Sequence, residues 1–331
     1  MKIKVGQIGL GHLGARHCAA LAEIPEAELV GVFDIDIKKR HQIARSFNVR
    51  ALTNLEQFFG QVQALIVAVP TRQHFEIAHL ALSNDINVFV EKPISATVEE
   101  AEQLVQLAHQ KKLILQVGHI ERFNPAVQAL ANEKLHPLFI ESHRLAAFNA
   151  RGTDVAVVLD LMIHDLDLIL NFVPHDICQI DASGVAVITP EIDMANARIQ
   201  FENGCVANVT ASRIAERKLR TMRLFQEDTY ICIDFIKRIA EKFKLVPDFT
   251  QEKNHRPTFD FEPVGKKNVQ HKKIFLEKLQ GDNHDPLKME LEAFLKSVRS
   301  REKPLVDGVA GKRVLELATE IIKIIETQVK V

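Results

Sequence analysis

The sequence predicts two domains of different class: an α/β domain with a parallel sheet over residues 1–119, then an α+β domain with an open, largely antiparallel sheet over residues 120–331. Three observations predict this. The first third alternates short β-rich runs with stretches of helical period. A glycine-rich turn stands between its first strand and first helix. After residue 119 the alternating runs follow one another without helices between them, as in an antiparallel sheet. A chain of 331 residues is also too long for one ordinary core and suits two.

In the first domain the strand-like runs are Lys4 to Ile8, Leu29 to Phe33, Ala64 to Val69, Asn87 to Val90 and Leu113 to Val117. Helical periods fill the intervals, for example Thr97 to Gln110. Such alternation builds βαβ units with helices on both faces of the sheet. Gly9-Leu10-Gly11-His12-Leu13-Gly14 follows the first strand, and Asp34 closes the second, 20 residues after Gly14. This is the spacing of a dinucleotide-binding Rossmann domain. Gly9 makes the tight turn, Gly11 admits a pyrophosphate, and Gly14 lets helix and strand pack closely. The amides at His12 and Leu13 open a helix whose N-terminus favours phosphate. Asp34 would accept from ribose hydroxyls and repel a 2'-phosphate, so NAD is expected over NADP. Lys38, Lys39 and Arg40 just downstream are the counter-argument. Two further strand ends, "VAVPTRQH" and "VFVEKPIS", should face the nicotinamide. They bring Pro70, Thr71, His74, Glu91 and Lys92 to the cofactor, with Pro93 restricting the backbone at Lys92.

In the second domain the alternating runs are Phe139 to Ala147, Ile177 to Val187, Ala195 to Phe201, Val206 to Ser212, Leu219 to Phe225 and Thr229 to Ile236. Between the first and second of them, "VVLDLMIHDLDLIL" reads as a buried helix over 157–170, interrupted by Asp160, His164 and Asp167 at i, i+4 and i+7 on one face. That helix should cover one sheet face and leave the other for self-association, as a homodimer or homotetramer. Leu287 to Val298 and Val309 to Ile325 read as helices. "KKNVQHKK" at 266–273 reads as a solvated loop.

Composition sets limits. Aliphatic content is high and net charge is −1, which describes a globular protein with no need of nucleic acid as a main partner. There is no Trp and one Tyr, Tyr230, so a ligand site must rest on charge, hydrogen bonds and Phe. Cys18, Cys178, Cys205 and Cys232 lack C-x-x-C spacing and fit buried thiols in a reducing compartment. MKIKVGQIGL runs into a strand rather than a signal peptide, and no apolar run reaches the ~20 residues of a membrane span. The expectation is a cytoplasmic protein without membrane contact.

GLGHLG, EKP at 91–93, "VGHIERFNP" at 117–125 and "DLMIHD" at 160–165, in this order, resemble the glucose-fructose oxidoreductase / inositol 2-dehydrogenase (Gfo/Idh/MocA-like) family of NAD(P)-dependent sugar oxidoreductases. The resemblance implies Lys92 and His164 as the catalytic pair, with Asp160 organising the site. It implies His119, Arg122, Asn124, Arg151, Asp160 and His164 as substrate-binding, and no metal. His164 would take the hydroxyl proton while Lys92 stabilises the developing alkoxide. "GHIERFNPA" and the run from Arg151 to Leu170 look most like the branch that oxidises UDP-N-acetylglucosamine, or its uronic acid, at C3. Such a substrate brings two phosphates, for which Arg213, Arg217, Lys218, Arg220 and Arg223, with Arg122, Arg144 and Arg151 beside the sugar, are candidates. A free polyol or monosaccharide dehydrogenase is the alternative enzyme. A non-catalytic NAD-binding regulator is the alternative of another class.

Overall fold

Six strands and four α-helices alternate through the first 118 residues of the computed structural model, which describes residues 1–149, 153, 155–247, 257–261 and 272–329. They are β1 (Ile3–Ile8), α1 (His12–Glu23), β2 (Ala27–Phe33), α2 (Ile37–Phe47), β3 (Arg50–Ala51), β4 (Ala64–Val67), α3 (His74–Ser83), β5 (Asn87–Glu91), α4 (Val98–Lys111) and β6 (Leu115–Gly118). All pair in parallel, in the order β3-β2-β1-β4-β5-β6. The order reverses direction between β1 and β4, so the loops leaving these strands turn to opposite faces and open a crevice at the carboxyl edge. Sequence explains the elements locally. Every residue of β4 and β5 is buried, as continuous apolar runs in a sheet covered on both sides should be. Thr97 and Glu100 form a reciprocal capping box at the start of α4, and the Asp36 carboxylate caps α2 through the amides of Lys38 and Lys39.

The chain divides into two units, Met1–Phe123 with His284–Leu317, and Asn124–Asn283 with Ala318–Val331. The first therefore takes back α7 (Pro286–Ser300), which sequence alone placed in the 120–331 domain. Leu287, Leu291, Phe294, Leu295 and Val298 of α7 pack with Ile3, Val5, Leu21, Ile66 and Phe89 in one core cluster. Gln116 of β6 also donates to the Glu290 carbonyl at 3.2 Å. An amphipathic helix goes to the apolar face that remains uncovered, however distant in sequence that face is.

The second unit holds α5 (Pro125–Gln128), β7 (Phe139–Leu145), α6 (Ile163–Phe172), β8 (Ile177–Val185), β9 (Met194–Phe201), β10 (Val206–Ser212), β11 (Leu219–Phe225), β12 (Thr229–Asp234), β13 (Ile239–Pro247), β14 (Pro257–Phe261) and β15 (Lys272–Leu279). Helix α8 (Gly308–Val329) starts in the first unit and ends in the second. The strands form one nine-stranded sheet, β14-β15-β13-β12-β11-β7-β10-β9-β8. Every pair is antiparallel except β7 with β10. Strands β13 to β15 lie beyond the runs recognised from sequence. Lys272 and Lys273, expected in a solvated loop, open β15, and residues 266–271 lie outside the described residues. The expected helix over 157–170 is composite, since Val158–Met162 form a π-helical turn that runs into α6. Among the described residues no helix is long and apolar enough to cross a membrane. Of the four cysteines, Cys18 and Cys205 are buried, Cys232 is half-buried and Cys178 is exposed, so the expectation of buried thiols fails at Cys178, on an outward position of an edge strand.

Candidate active site

The glycine loop behaves as its spacing demands, each glycine for its own reason. Gly9 has φ +81°, and a Cβ there would strike the Ala68 carbonyl. A Cβ at Gly14 would strike the carbonyl of Gly9, the close helix–strand approach expected of the third glycine. A Cβ at Gly11 would meet nothing within 4 Å, so the space in front of the α1 N-terminus stays open for a pyrophosphate. Gly11 and His12 are exposed, Leu13 is half-buried, and no acidic residue stands in the first turn of α1. This cradle fits a dinucleotide phosphate. Gln7 braces it from below, donating to the carbonyls of Ile8 and Gly9 at 3.0 Å each. A glutamine among the buried positions of β1 was the available signal for this role.

The half-buried Asp34 carboxylate accepts from Leu10 N at 2.6 Å and Asp36 N at 2.7 Å, which locks the end of β2 to the glycine loop. Each oxygen keeps a lone pair for a ribose hydroxyl. Of the three downstream cations, Lys39 pairs with Asp36 at 3.7 Å, and Arg40 is buried over Phe33 with Nη1 3.3 Å from the Asp34 carbonyl.

The loops after β4 and β5 meet through side chains rather than leaving them all to a ligand. Pro70 is exposed and Thr71 half-buried at a single 3-10 turn, as an approach to a cofactor requires. His74 is not available in that way. Its ring is buried, with Nδ1 2.8 Å from the Pro93 carbonyl and Nε2 2.9 Å from the Val69 carbonyl. Burial holds this imidazole below its ordinary pKa, against the smaller opposing effect of the two carbonyls. Glu91 is also turned inward. Its Oε1 is 2.8 Å from His17 Nε2, and its Oε2 is 3.3 Å from the amide of Lys92. Burial opposes its charge, but the His17 hydrogen bond and the charges of His17, Lys92 and His74 outweigh it, so the carboxyl stays below the usual range. Glu91 thus forms a buried pair with His17, and Lys92 is half-buried beside it. The bond from Lys92 to Pro93 is cis. His17 was missed from sequence, although a single His among the apolar positions of α1 is the same kind of signal that marked His164.

Beyond β6, His119 is buried and Arg122 is buried in the 3-10 turn Ile120–Phe123. Asn124 is the N-cap of α5. Its Oδ1 accepts from Ala126 N and its Nδ2 donates to the Phe235 carbonyl, both at 3.1 Å, so the backbone takes both ends of a side chain expected to hold substrate.

In the second unit Asp160 sits in the π-helical turn and His164 in the first turn of α6, both half-buried. Asp167, expected on the same reachable face, is fully buried. Asp165 makes a bidentate pair with Arg144 of β7, Nε to Oδ2 2.7 Å and Nη2 to Oδ1 3.0 Å, under the face of Phe235. Arg144 is therefore a structural anchor for α6 and not a sugar contact. The arginine cluster likewise disperses. Arg213 is buried, donating to the Val155 carbonyl at 2.6 Å and lying 3.9 Å from Asp193, while Arg223 pairs with Glu141 at 3.0 Å. Arg213 lies just past the end of β10 and Arg223 within β11, so these two arginines share a segment but not a site. Arg151 lies outside the described residues. A groove of about 1080 Å³ lies at the other edge of the parallel sheet, by Leu113, Ile114 and Pro304, and contains none of these residues.

By its sheet order, its glycine cradle and the acidic end of β2, the first unit is a dinucleotide-binding domain of the Rossmann class. Residues 3–119 match the NAD-binding Rossmann fold of an oxidoreductase family, and residues 140–231 match the GFO/IDH/MocA C-terminal domain. The chain belongs to the GFO/IDH/MocA oxidoreductases and is a dehydrogenase. It is similar to UDP-N-acetylglucosamine 3-dehydrogenase of Acidithiobacillus ferrooxidans, 34% identical over 96% of each chain. A solved structure of that enzyme superposes with a TM-score of 0.88 at 32% identity, covering 99% of this chain and 98% of that one. Myo-inositol 2-dehydrogenase of Thermotoga maritima is 24% identical over 98% of this chain and 96% of its own. Scyllo-inositol dehydrogenase from Lactobacillus casei, solved with NAD(H) and scyllo-inositol, shares the fold at a TM-score of 0.75 and 18% identity, covering 99% and 98% of the two chains.

Proposed function

We propose that this dehydrogenase oxidises the C3 hydroxyl of UDP-N-acetylglucosamine, or of a closely related UDP-sugar, to a ketone with NAD. The observation that carries the reading is the 34% identity to a UDP-N-acetylglucosamine 3-dehydrogenase, sustained over 96% of both chains. His164 removes the hydroxyl proton, since a neutral imidazole is available near pH 7. Lys92 donates to the same oxygen and stabilises the charge that grows on it. Asp160, one turn before His164, orients the imidazole. His119 and Arg122 hold the sugar. NAD, when bound, supplies the hydride acceptor.

The choice of NAD over NADP rests on Asp34, whose carboxylate repels a 2'-phosphate, and on Lys39 and Arg40 being engaged elsewhere. Self-association rests on the second sheet. Arg144 of β7 faces α6, so Phe139 alternates to the opposite face. There Phe139, Phe225, Tyr230 and Phe243 form an aromatic row with centroid spacings of 5.7, 4.9 and 5.3 Å, and we propose that two copies pair over it. Light scattering of wild type and Phe225→Glu tests this: a dimer or tetramer reduced to monomer supports it, and a wild-type monomer refutes it.

The test of function is absorbance at the reduced-nicotinamide band with NAD or NADP and a panel of UDP-sugars, free sugars and polyols. A parallel arm adds an aminotransferase to pull the oxidation forward. NAD-dependent turnover of UDP-N-acetylglucosamine, lost in His164→Ala, is expected. Turnover confined to a free polyol or monosaccharide rejects the nucleotide-sugar assignment, and no turnover with any substrate favours a binding role.

A further inference from the structure

Lys92 stands between two residues whose polar groups are each held by a buried histidine. On one side Glu91 meets His17 from α1, the helix that opens at the phosphate cradle. On the other, the Pro93 carbonyl meets His74 from α3, whose second nitrogen reaches back to Val69 at the end of β4. His17 is 0% exposed and His74 1%. Neither touches a surface from which it could reach a ligand. His17 stacks edge-on against Phe89 at 5.5 Å, and Phe89 stacks in turn on Phe294 of α7, so the imidazole sits in an aromatic wall with its Nε2 directed at the carboxylate. A buried ionised carboxylate is costly unless hydrogen-bonded and paired. Glu91 has both the His17 N–H and the Lys92 charge nearby. Gly118, at the end of β6, completes the arrangement: a Cβ there would lie 2.9 Å from Glu91 Oε2.

We propose that His17 and His74 are positioning residues that act through Lys92, clamping the Glu91-Lys92-Pro93 loop from both sides so that the ammonium is held in one place while the hydroxyl reacts. This rests on the reading of Lys92 as catalytic. At neutral pH the burial-depressed His74 carries one N–H, and in its Nδ1–H form it donates to the Pro93 carbonyl, which ties the β5 loop to the start of α3. His17 in its Nε2–H form donates to Glu91 and leaves the carboxylate charged, which favours the ammonium form of Lys92.

A double-mutant test separates action through Lys92 from plain stability. His17→Phe, His74→Phe and Glu91→Gln are made in the wild-type and in the Lys92→Ala backgrounds, and kcat, KM, thermal midpoint and binary NAD affinity by calorimetry are measured. Displacing a catalytic group by about 1 Å costs on the order of 100-fold, so each variant is expected to lower kcat by ~10–100-fold in wild type and by less than ~3-fold once Lys92 is gone. NAD affinity should stay within about 3-fold, because the glycine cradle is untouched. Equal losses in both backgrounds, or wild-type kcat in folded His17 and His74 variants, overturn the inference. Should the Phe variants not fold, His17→Asn and His74→Asn, which keep a donor, carry the same comparison and are expected to recover part of kcat.

If Lys92→Ala leaves no measurable rate, the pH profile of kcat/KM decides. The titratable groups recorded around the loop are Glu91, His17, His74 and Lys92. Removing the Glu91 charge disfavours the ammonium form of Lys92, so Glu91→Gln should move the high-pH limb to lower pH, whereas a stability defect leaves the limb in place. Full kcat in Lys92→Ala would sink the catalytic reading of Lys92 and this inference with it. An inactive Lys92→Ala beside unaffected His17 and His74 variants refutes the inference alone.

Discussion

The two proposed catalytic side chains are secured by opposite means. Lys92 sits on a loop, and directional hydrogen bonds from buried histidines brace the residues on either side of it. His164 sits on a helix, where the backbone already sets the direction of the side chain and a buried ion pair, Arg144–Asp165, ties the helix to its sheet. Backbone groups of a helix satisfy one another, so the helix needs one anchor to set its place. A strand-end loop has no such internal support and needs a partner for each polar group that leaves the surface.

The largest effect expected is at the helix-borne group itself. His164→Ala should lower kcat by ~10²–10⁴ with NAD affinity retained, as loss of a general base does. A fall in NAD affinity of the same size would show His164 to be a cofactor contact instead. Next comes the anchor. Arg144→Ala strands the Asp165 carboxylate in the interior and should cost about 3–5 kcal/mol, read as a loss of denaturant or thermal midpoint. Arg144→Met with Asp165→Leu should cost less than the single change, and if it costs more, the pair is a source of stability and not only of register.

Gly118→Ala presses on the Glu91 carboxylate and on the edge of the buried Phe89 ring, so kcat should fall by ~10-fold and stability by about 1–3 kcal/mol. A variant with normal kcat would mean that the loop tolerates a moved Glu91. The smallest effect lies away from both catalytic groups. Burial opposes the charge of Asp193, but the amides of Val187, Ile188 and Thr189 and the Thr189 hydroxyl hold its carboxyl well below the usual range. A depressed carboxyl contributes stability at neutral pH that is lost as pH falls below the ordinary carboxylate range. Asp193→Asn should cost about 1–3 kcal/mol near pH 7 and flatten the acid limb of the stability curve. An unchanged acid limb would assign that limb to other groups.

Legibility in sequence followed the range over which each feature is determined. The glycine cradle, Asp34 and the helix that starts at Thr97 are local, because a turn, a strand end and a helix start are each set by residues a few positions apart. The lysine of EKP was found at a strand end ahead of Pro93 and the Asp160–His164 helix because polar groups interrupt an apolar run, and the second rule would have found His17 had it been applied to α1. Asn124 was misread because a capping asparagine and a sugar-binding one look alike until the partner at Phe235 is seen. The partners of Arg213 and Arg223, the Val155 carbonyl and Glu141, were not legible because they lie 58 and 82 residues away along the chain.

By itself, then, the sequence determined what short-range physics settles: the class of each domain, the dinucleotide cradle, the family and the residues at which chemistry is proposed. Tertiary structure alone decided which of its charged residues are spent inside the protein, that α7 returns to the first unit, and that three further strands complete the second sheet. The physical reason is that a side chain's fate depends on the partner it meets, and partners such as Arg144 and Asp165, or His17 and Glu91, are tens of residues apart along the chain yet within 3 Å in space.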